Sequence, residues 1–172
     1  MSQVTIKSIE KAIEHVDNLD DDALEALSER YALAQPDLLD YVMSAPTEYE
    51  NDELEGLLIY YFCLIMYSFE VQDIALNVVS DDDIDAMQES YFEMLDSYFE
   101  SEDEEEIESF CDQPDLAQFM AVEVSTDDED GTSLSEETAS QLFIVTIGMI
   151  SLINKAIKAK SDYNFTKGSV LL

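Results

Sequence analysis

The sequence predicts an all-α fold, a compact bundle of about eight helices in two related four-helix halves around two apolar central helices. Three observations carry that expectation. Only four glycines and three prolines leave little of the turn chemistry that a sheet fold needs. Apolar residues recur three and four apart along most of the chain, the period of a helix with one buried face. Two longer runs, residues 57–69 and 142–153, carry no charge at all and suit helices buried on every side.

A chain of 172 residues, 47% hydrophobic, with nine tyrosines and eight phenylalanines, can build one good core. A net charge of −34 alone would suggest disorder, but disorder also needs low hydrophobicity. Residues 1–160 are therefore expected to form a single all-α domain, and residues 161–172 a flexible C-terminal tail.

Ile6, Ile9, Ile13 and Val16 give a first amphipathic helix ending near Asp17 and Asn18. Asp20, Asp21 and Asp22 open a second, with Leu24, Leu27, Tyr31 and Ala34 on one face and negative charge at the positive end of the helix dipole. Pro36 suits the first turn of a short third helix over 37–44, where its missing N–H costs nothing. An acidic loop over 47–52 leads into the first charge-free helix. Ser80 then caps a helix opened by Asp81, Asp82 and Asp83, with Ile84, Met87, Tyr91, Met94 and Tyr98 facing inward.

The acidic stretch 101–106 reads as a loop or a frayed helix start, followed by a short apolar face from Ile107, Phe110 and Cys111. Pro114 begins another helix through Leu116, Phe119, Met120 and Val122. A second acidic loop, 126–131, precedes Ser133 and Glu136, which have the spacing of a capping box. The central helix that follows is expected to end among Lys155, Lys158 and Lys160, cations suited to a helix C-terminus.

Gln35, Pro36, Asp37 and Leu38 recur as Gln113, Pro114, Asp115 and Leu116, each followed by an acidic loop and then a charge-free helix. Two amphipathic helices precede each copy. The pattern predicts an internal repeat, residues 1–75 and 80–160, packed face to face.

Charge is the strongest feature of the chain. Its seven bases are Lys7, Lys11, Arg30, Lys155, Lys158, Lys160 and Lys167, so residues 31–154 hold 32 acids and no base. Direct nucleic-acid binding through phosphates needs Lys and Arg, and anionic membranes attract the same residues, so neither is an expected partner. The charge-free run at 142–153 is shorter than the roughly 20 residues a bilayer span needs. The N-terminus lacks the apolar segment of a signal peptide, which makes the cytoplasm the expected location. Cys63 and Cys111 lack the paired spacing of a metal or redox motif and read as buried thiols.

Catalytic chemistry finds little footing. His15 is the only histidine, which excludes di-iron sites needing two and argues against a triad. There is no Gly-rich phosphate loop. Glu50 and Glu53, followed by Glu70 and Asp73, resemble in form the magnesium motif of all-helical nucleotide pyrophosphatases. A helix of that length would place Glu53 and Glu70 roughly 25 Å apart, too far for one metal. Residues 126–137 resemble a degenerate EF-hand calcium loop, with Asp128, Asp130, Gly131 and Glu137 at its third, fifth, sixth and twelfth positions. Thr126 stands where an Asp is usual, and Ser133 where an apolar residue is usual. No cofactor is expected, and Ca or Mg at Asp128, Asp130 and Glu137 is the single metal reading.

The acidic surface supports a sharper expectation. Asp85, Glu89, Glu93, Asp96 and Glu100 fall three and four apart on one helix, making a ridge with neighbours about 5–6 Å apart. Glu104 and Glu105 continue it. Four like-charge steps destabilise a helix by roughly 1–2 kcal/mol in total, whereas solubility alone is served by mixed charge. The expected role is a non-enzymatic interaction protein, a monomer or homodimer, whose ridge binds a basic protein, including one with a nucleic-acid site that the ridge mimics. The alternatives are an acidic surface that serves only solvation or salt adaptation, and divalent-cation binding through 126–137.

Overall fold

The computed structural model of the chain describes residues 3–125 and 134–158. They form eight helices of two turns or more and one additional single turn. In chain order these are α1 (Ile6–Asp17), α2 (Asp21–Ala34), α3 (Pro36–Met43), the turn α4 (Ala45–Glu48), α5 (Glu53–Val71), α6 (Asp81–Ser101), α7 (Glu104–Cys111), α8 (Pro114–Ser125) and α9 (Glu136–Lys155). Among the described residues no strand occurs beyond an isolated antiparallel bridge between Leu76 and Ile157.

The caps explain where most helices begin. Thr5, Asp20, Ser80, Asp103 and Ser135 each accept a backbone N–H of the first turn through a side-chain oxygen, satisfying a donor that the helix cannot. At α6 the arrangement is reciprocal, because the Asp83 carboxylate also accepts the Ser80 N–H at 3.0 Å. Glu102 and Asp112, both left-handed, end α6 and α7.

The two charge-free runs form the centre. On α5, every residue from Tyr61 to Met66 is buried, and on α9 every residue from Val145 to Ile153 is. They pack on each other, with α1, α2 and α3 against α5 and with α3, α6, α7 and α8 against α9. Buried apolar side chains from these elements form one contiguous core. Besides the α5–α9 and α3–α9 contacts, α3 packs against α6 and α8 against α1. The buried side chains of Gln35 and Gln113 sit at these crossings, tying α3 to the start of α6 and α8 to the start of α1.

Gly148 lies where helices come close. A methyl group there would collide with the Tyr41 hydroxyl and sit 3.2 Å from the Tyr91 ring. Tyr91 is held in place by its hydroxyl, which donates to the carbonyl oxygen of Ile144.

Several expectations are corrected. The cap of α9 is Ser135, not Ser133: its Oγ accepts the Thr138 N–H at 3.1 Å, which leaves Leu134 outside the helix. That helix ends at Lys155, since Ala156 already closes the last turn and Lys158 N–H bonds Ala75 O at 2.9 Å. Residues 45–48 coil into α4, shortening the acidic loop. Ala34 is exposed, and on α6 Leu95 takes the core place expected of Met94 and Tyr98, both half-buried. At 19 and 20 residues, α5 and α9 are longer than their charge-free runs, and by length and composition alone could cross a bilayer. The greater part of each apolar stretch is buried against other helices of the chain.

Candidate functional site

Helix α6 sets out its side chains by the 100° turn of each residue. Ile84, Met87, Tyr91 and Leu95 point into the core. Asp85, Glu89, Glu93, Asp96 and Glu100 fall within an arc of about 80° on the outer side, and all five are exposed. The ridge expected from the sequence is therefore one continuous solvent-facing stripe.

Glu104 and Glu105, in the first turn of α7, are exposed as well. Their placement beside α6 follows from Glu106, whose carboxylate accepts the hydroxyls of Ser97 and Ser101, the latter at 2.7 Å. Those hydrogen bonds, Ser97 first, hold the Glu106 carboxyl below its usual range. At the other end, Asp81 is pushed above the usual carboxylate range, first by Asp37 on α3, then by partial desolvation and by Asp85, Asp40 and Asp82. Like charges on two helices thus crowd the start of the stripe.

Among the described residues the one ion pair is Arg30 with Glu70, and it lies elsewhere, between α2 and α5. Arg30 grips both Glu70 oxygens, at 2.7 and 3.0 Å, and the Tyr31 hydroxyl donates to Glu70 at 2.8 Å. Glu70 is thereby held below its usual range, chiefly by Arg30. This cluster edges a groove of about 710 Å³ lined also by Met66, Phe69 and Leu76. Glu70 is engaged here, and Glu53, at the opposite end of α5, faces Thr138.

The cation loop falls largely outside the described residues, which include neither Asp128 nor Asp130. Glu137 is exposed in the first turn of α9 and accepts from Gln141 at 3.3 Å. Among the described residues no group of three or more His, Cys, Asp and Glu side chains is gathered as a metal would need. His15 is half-buried, its ring stacked on Tyr67 with centroids 4.1 Å apart.

Two aromatic residues of α6 border the stripe. Phe92 and Phe99 are 55% and 54% exposed, and among the described residues they are the only exposed phenylalanines. They flank the acidic stripe on its Asp85 side, two turns apart. The signal was present in the sequence as Tyr-Phe-Glu at 91–93 and again at 98–100. Each copy sends Tyr inward, Glu onto the stripe and Phe to the boundary.

No protein-family model, curated protein or solved structure matches the chain.

Proposed function

We propose that this chain is a non-enzymatic acidic interaction protein that binds a basic protein through the outer face of α6 and the start of α7. In this reading the carboxylates of Asp85, Glu89, Glu93, Asp96, Glu100, Glu104 and Glu105 occupy a groove built for a nucleic-acid backbone. The observation that carries it is the exposure of all seven on adjoining helix faces, with no cation of the described chain paired to them. A cationic partner would gain attraction and relieve the repulsion among them, and the encounter would be steered over a distance that salt controls.

The competing role, solvation alone, draws on exposed acids elsewhere, such as Asp21, Asp22, Glu25 and Glu29 on α2. The two roles separate when basic proteins of the source cell are passed over immobilised chain at low and then moderate salt. Recognition predicts one dominant basic protein, released as salt rises and not retained by a chain with Glu89, Glu93 and Asp96 changed to Gln. A ladder of abundant basic proteins, indifferent to those substitutions, would return the acids to solvation.

The chain also carries, in this proposal, a duplicated four-helix unit spanning 1–75 and 80–160. The matching crossings of Gln35 and Gln113 support it. The extra turn α4 has no counterpart in the second half among the described residues.

A further inference from the structure

Phe92 and Phe99 are costly where they stand. Burying a phenylalanine contributes about 1.5–3 kcal/mol, and the core already takes Phe62 and Phe69 completely. Both exposed rings lie on one helix face, about 10.5 Å apart along its axis. Each is backed by the tyrosine before it, Tyr91 at 6.2 Å and Tyr98 at 5.5 Å between centroids. Tyr91 is itself anchored to Ile144. The rings are therefore carried on a rigid element and held ready for a partner, which lowers the cost of ordering them on binding.

What covers them must also meet the stripe beside them. A second copy of this chain would set two acidic ridges against each other. An anionic surface is repelled for the same reason. The occupant has to bring Lys and Arg for the carboxylates and a flat or apolar surface for the rings. Duplex-binding proteins supply the first but read bases chiefly at their edges within the grooves. Sites for single strands supply both, since they combine a cationic groove for the backbone with side chains on which unstacked bases lie.

We infer that the α6 face docks into the single-stranded nucleic-acid site of a basic protein, the ridge carboxylates standing where phosphates bind and the rings of Phe92 and Phe99 where bases stack. This rests on the reading of the chain as an acidic interaction protein, and it narrows the partner to one class. One row of charges with aromatic rings along its border corresponds to a single backbone with its bases turned out. Carboxylates about 5–6 Å apart repeat along that row.

The test uses two columns, oligo(dT)-cellulose and duplex-DNA-cellulose, each loaded at low salt with proteins of the source cell and developed with the purified full chain. The expected result is displacement of a basic protein from oligo(dT). Phe92→Ser with Phe99→Ser should raise the concentration needed at least tenfold, and so should a chain with Glu89, Glu93 and Glu100 changed to Gln and Asp96 to Asn. Circular dichroism confirms that both variants remain helical; the substituted positions are exposed.

If the Phe variant displaces as well as the parent while the charge variant fails, the single-strand inference falls and the acidic-interaction reading stands. Displacement from the duplex column alone has the same meaning. No displacement by the parent chain, or displacement untouched by the charge variant, overturns both. A homodimer in sedimentation equilibrium that the two Phe substitutions dissolve would assign the face to a second copy and also overturn the inference.

Discussion

Gln35 and Gln113 do the same work at two places in the fold: each lies directly before a helix that begins with proline, and each accepts a backbone N–H from a distant valine at 2.8 Å. Gln35 takes it from Val79, just ahead of the Ser80 cap of α6, and Gln113 from Val4, just ahead of the Thr5 cap of α1. Their amide nitrogens donate onward, from Gln35 to Asn77 O and from Gln113 to Asn154 Oδ1, both at 2.9 Å. Both glutamines are buried, as are Val4 and Val79.

Removing either side chain leaves a buried N–H without its acceptor. Leaving a buried donor unsatisfied costs about 1–3 kcal/mol, so Gln35→Ala and Gln113→Ala should each destabilise the chain by about that much. Urea denaturation reads it as a fall in midpoint at unchanged slope. A loss below about 0.5 kcal/mol in either variant would mean that water replaces the glutamine and that these crossings hold nothing.

How much of this was legible in the sequence depends on how local each signal is. The starts of α2 and α6 were readable because Asp20 and Ser80 act within three residues of themselves, and α1 was readable from the period of its apolar residues. The centre was readable because α5 and α9 leave charge out for more than three turns. Ser133 and Ser135 both have cap chemistry, so spacing alone did not single out Ser135, whose Oγ accepts the Thr138 N–H. The glutamines were visible as a repeat but not as acceptors, because their partners lie 44 and 109 residues away. The acidic stripe was legible from spacing alone. Its aromatic border was overlooked, since at helical period Phe92 and Phe99 are as consistent with a core edge as with an exposed flank.

Charge repulsion sets the response to pH and salt. Asp81 is more easily protonated in the folded chain than an isolated carboxyl, so its contribution is present at low pH and fades as pH rises through its folded value. Glu70 and Glu106 run the other way, contributing above the ordinary carboxylate range and losing that contribution as pH falls through their depressed values. With 41 acids against seven bases, the net charge of −34 repels itself in the compact state, and protonation relieves that repulsion. Thermal stability should therefore rise from pH 7 to about 5, and at pH 7 it should rise with added NaCl or millimolar Mg²⁺ through screening. A melting temperature flat in both series would show that the acids are too well solvated to oppose folding.

Within this pattern, Glu70→Gln should remove one of the opposing contributions. The pair with Arg30 is partly exposed, so its worth is at most about 1 kcal/mol. The variant should lose less stability than the parent between pH 5 and 3, and differ from it little below that range. Equal pH profiles would mean that Arg30 and Tyr31 hold Glu70 without stabilising the fold.

Gly148 should resist enlargement. An alanine gains about 0.5–1 kcal/mol of helix propensity over glycine, but here its methyl would press on Tyr41 and on the anchored Tyr91 ring. Overpacking costs typically about 1–3 kcal/mol, so Gly148→Ala should be net destabilising by about 1 kcal/mol. Gly148→Val, with two more methyls and a smaller propensity gain, should cost more. A stabilised alanine variant would show that Tyr41 swings aside freely.

The two thiols report on whether the core opens. Cys63 and Cys111 are fully buried, on α5 and α7, and burial pushes both thiols up to about 11. Thiolate is the reacting form, so at pH 8 each would be slow even if reagent could reach it, and no path is open in the closed fold. Labelling of the native chain by a disulfide reagent should then proceed only through opening of the bundle. Because salt is expected to stabilise the fold, added NaCl should lengthen the labelling half-life of both cysteines, whereas simple screening of an anionic reagent from an acidic protein would shorten it. Rapid reaction of either thiol, or acceleration by salt, would place that cysteine in a locally mobile part of the core.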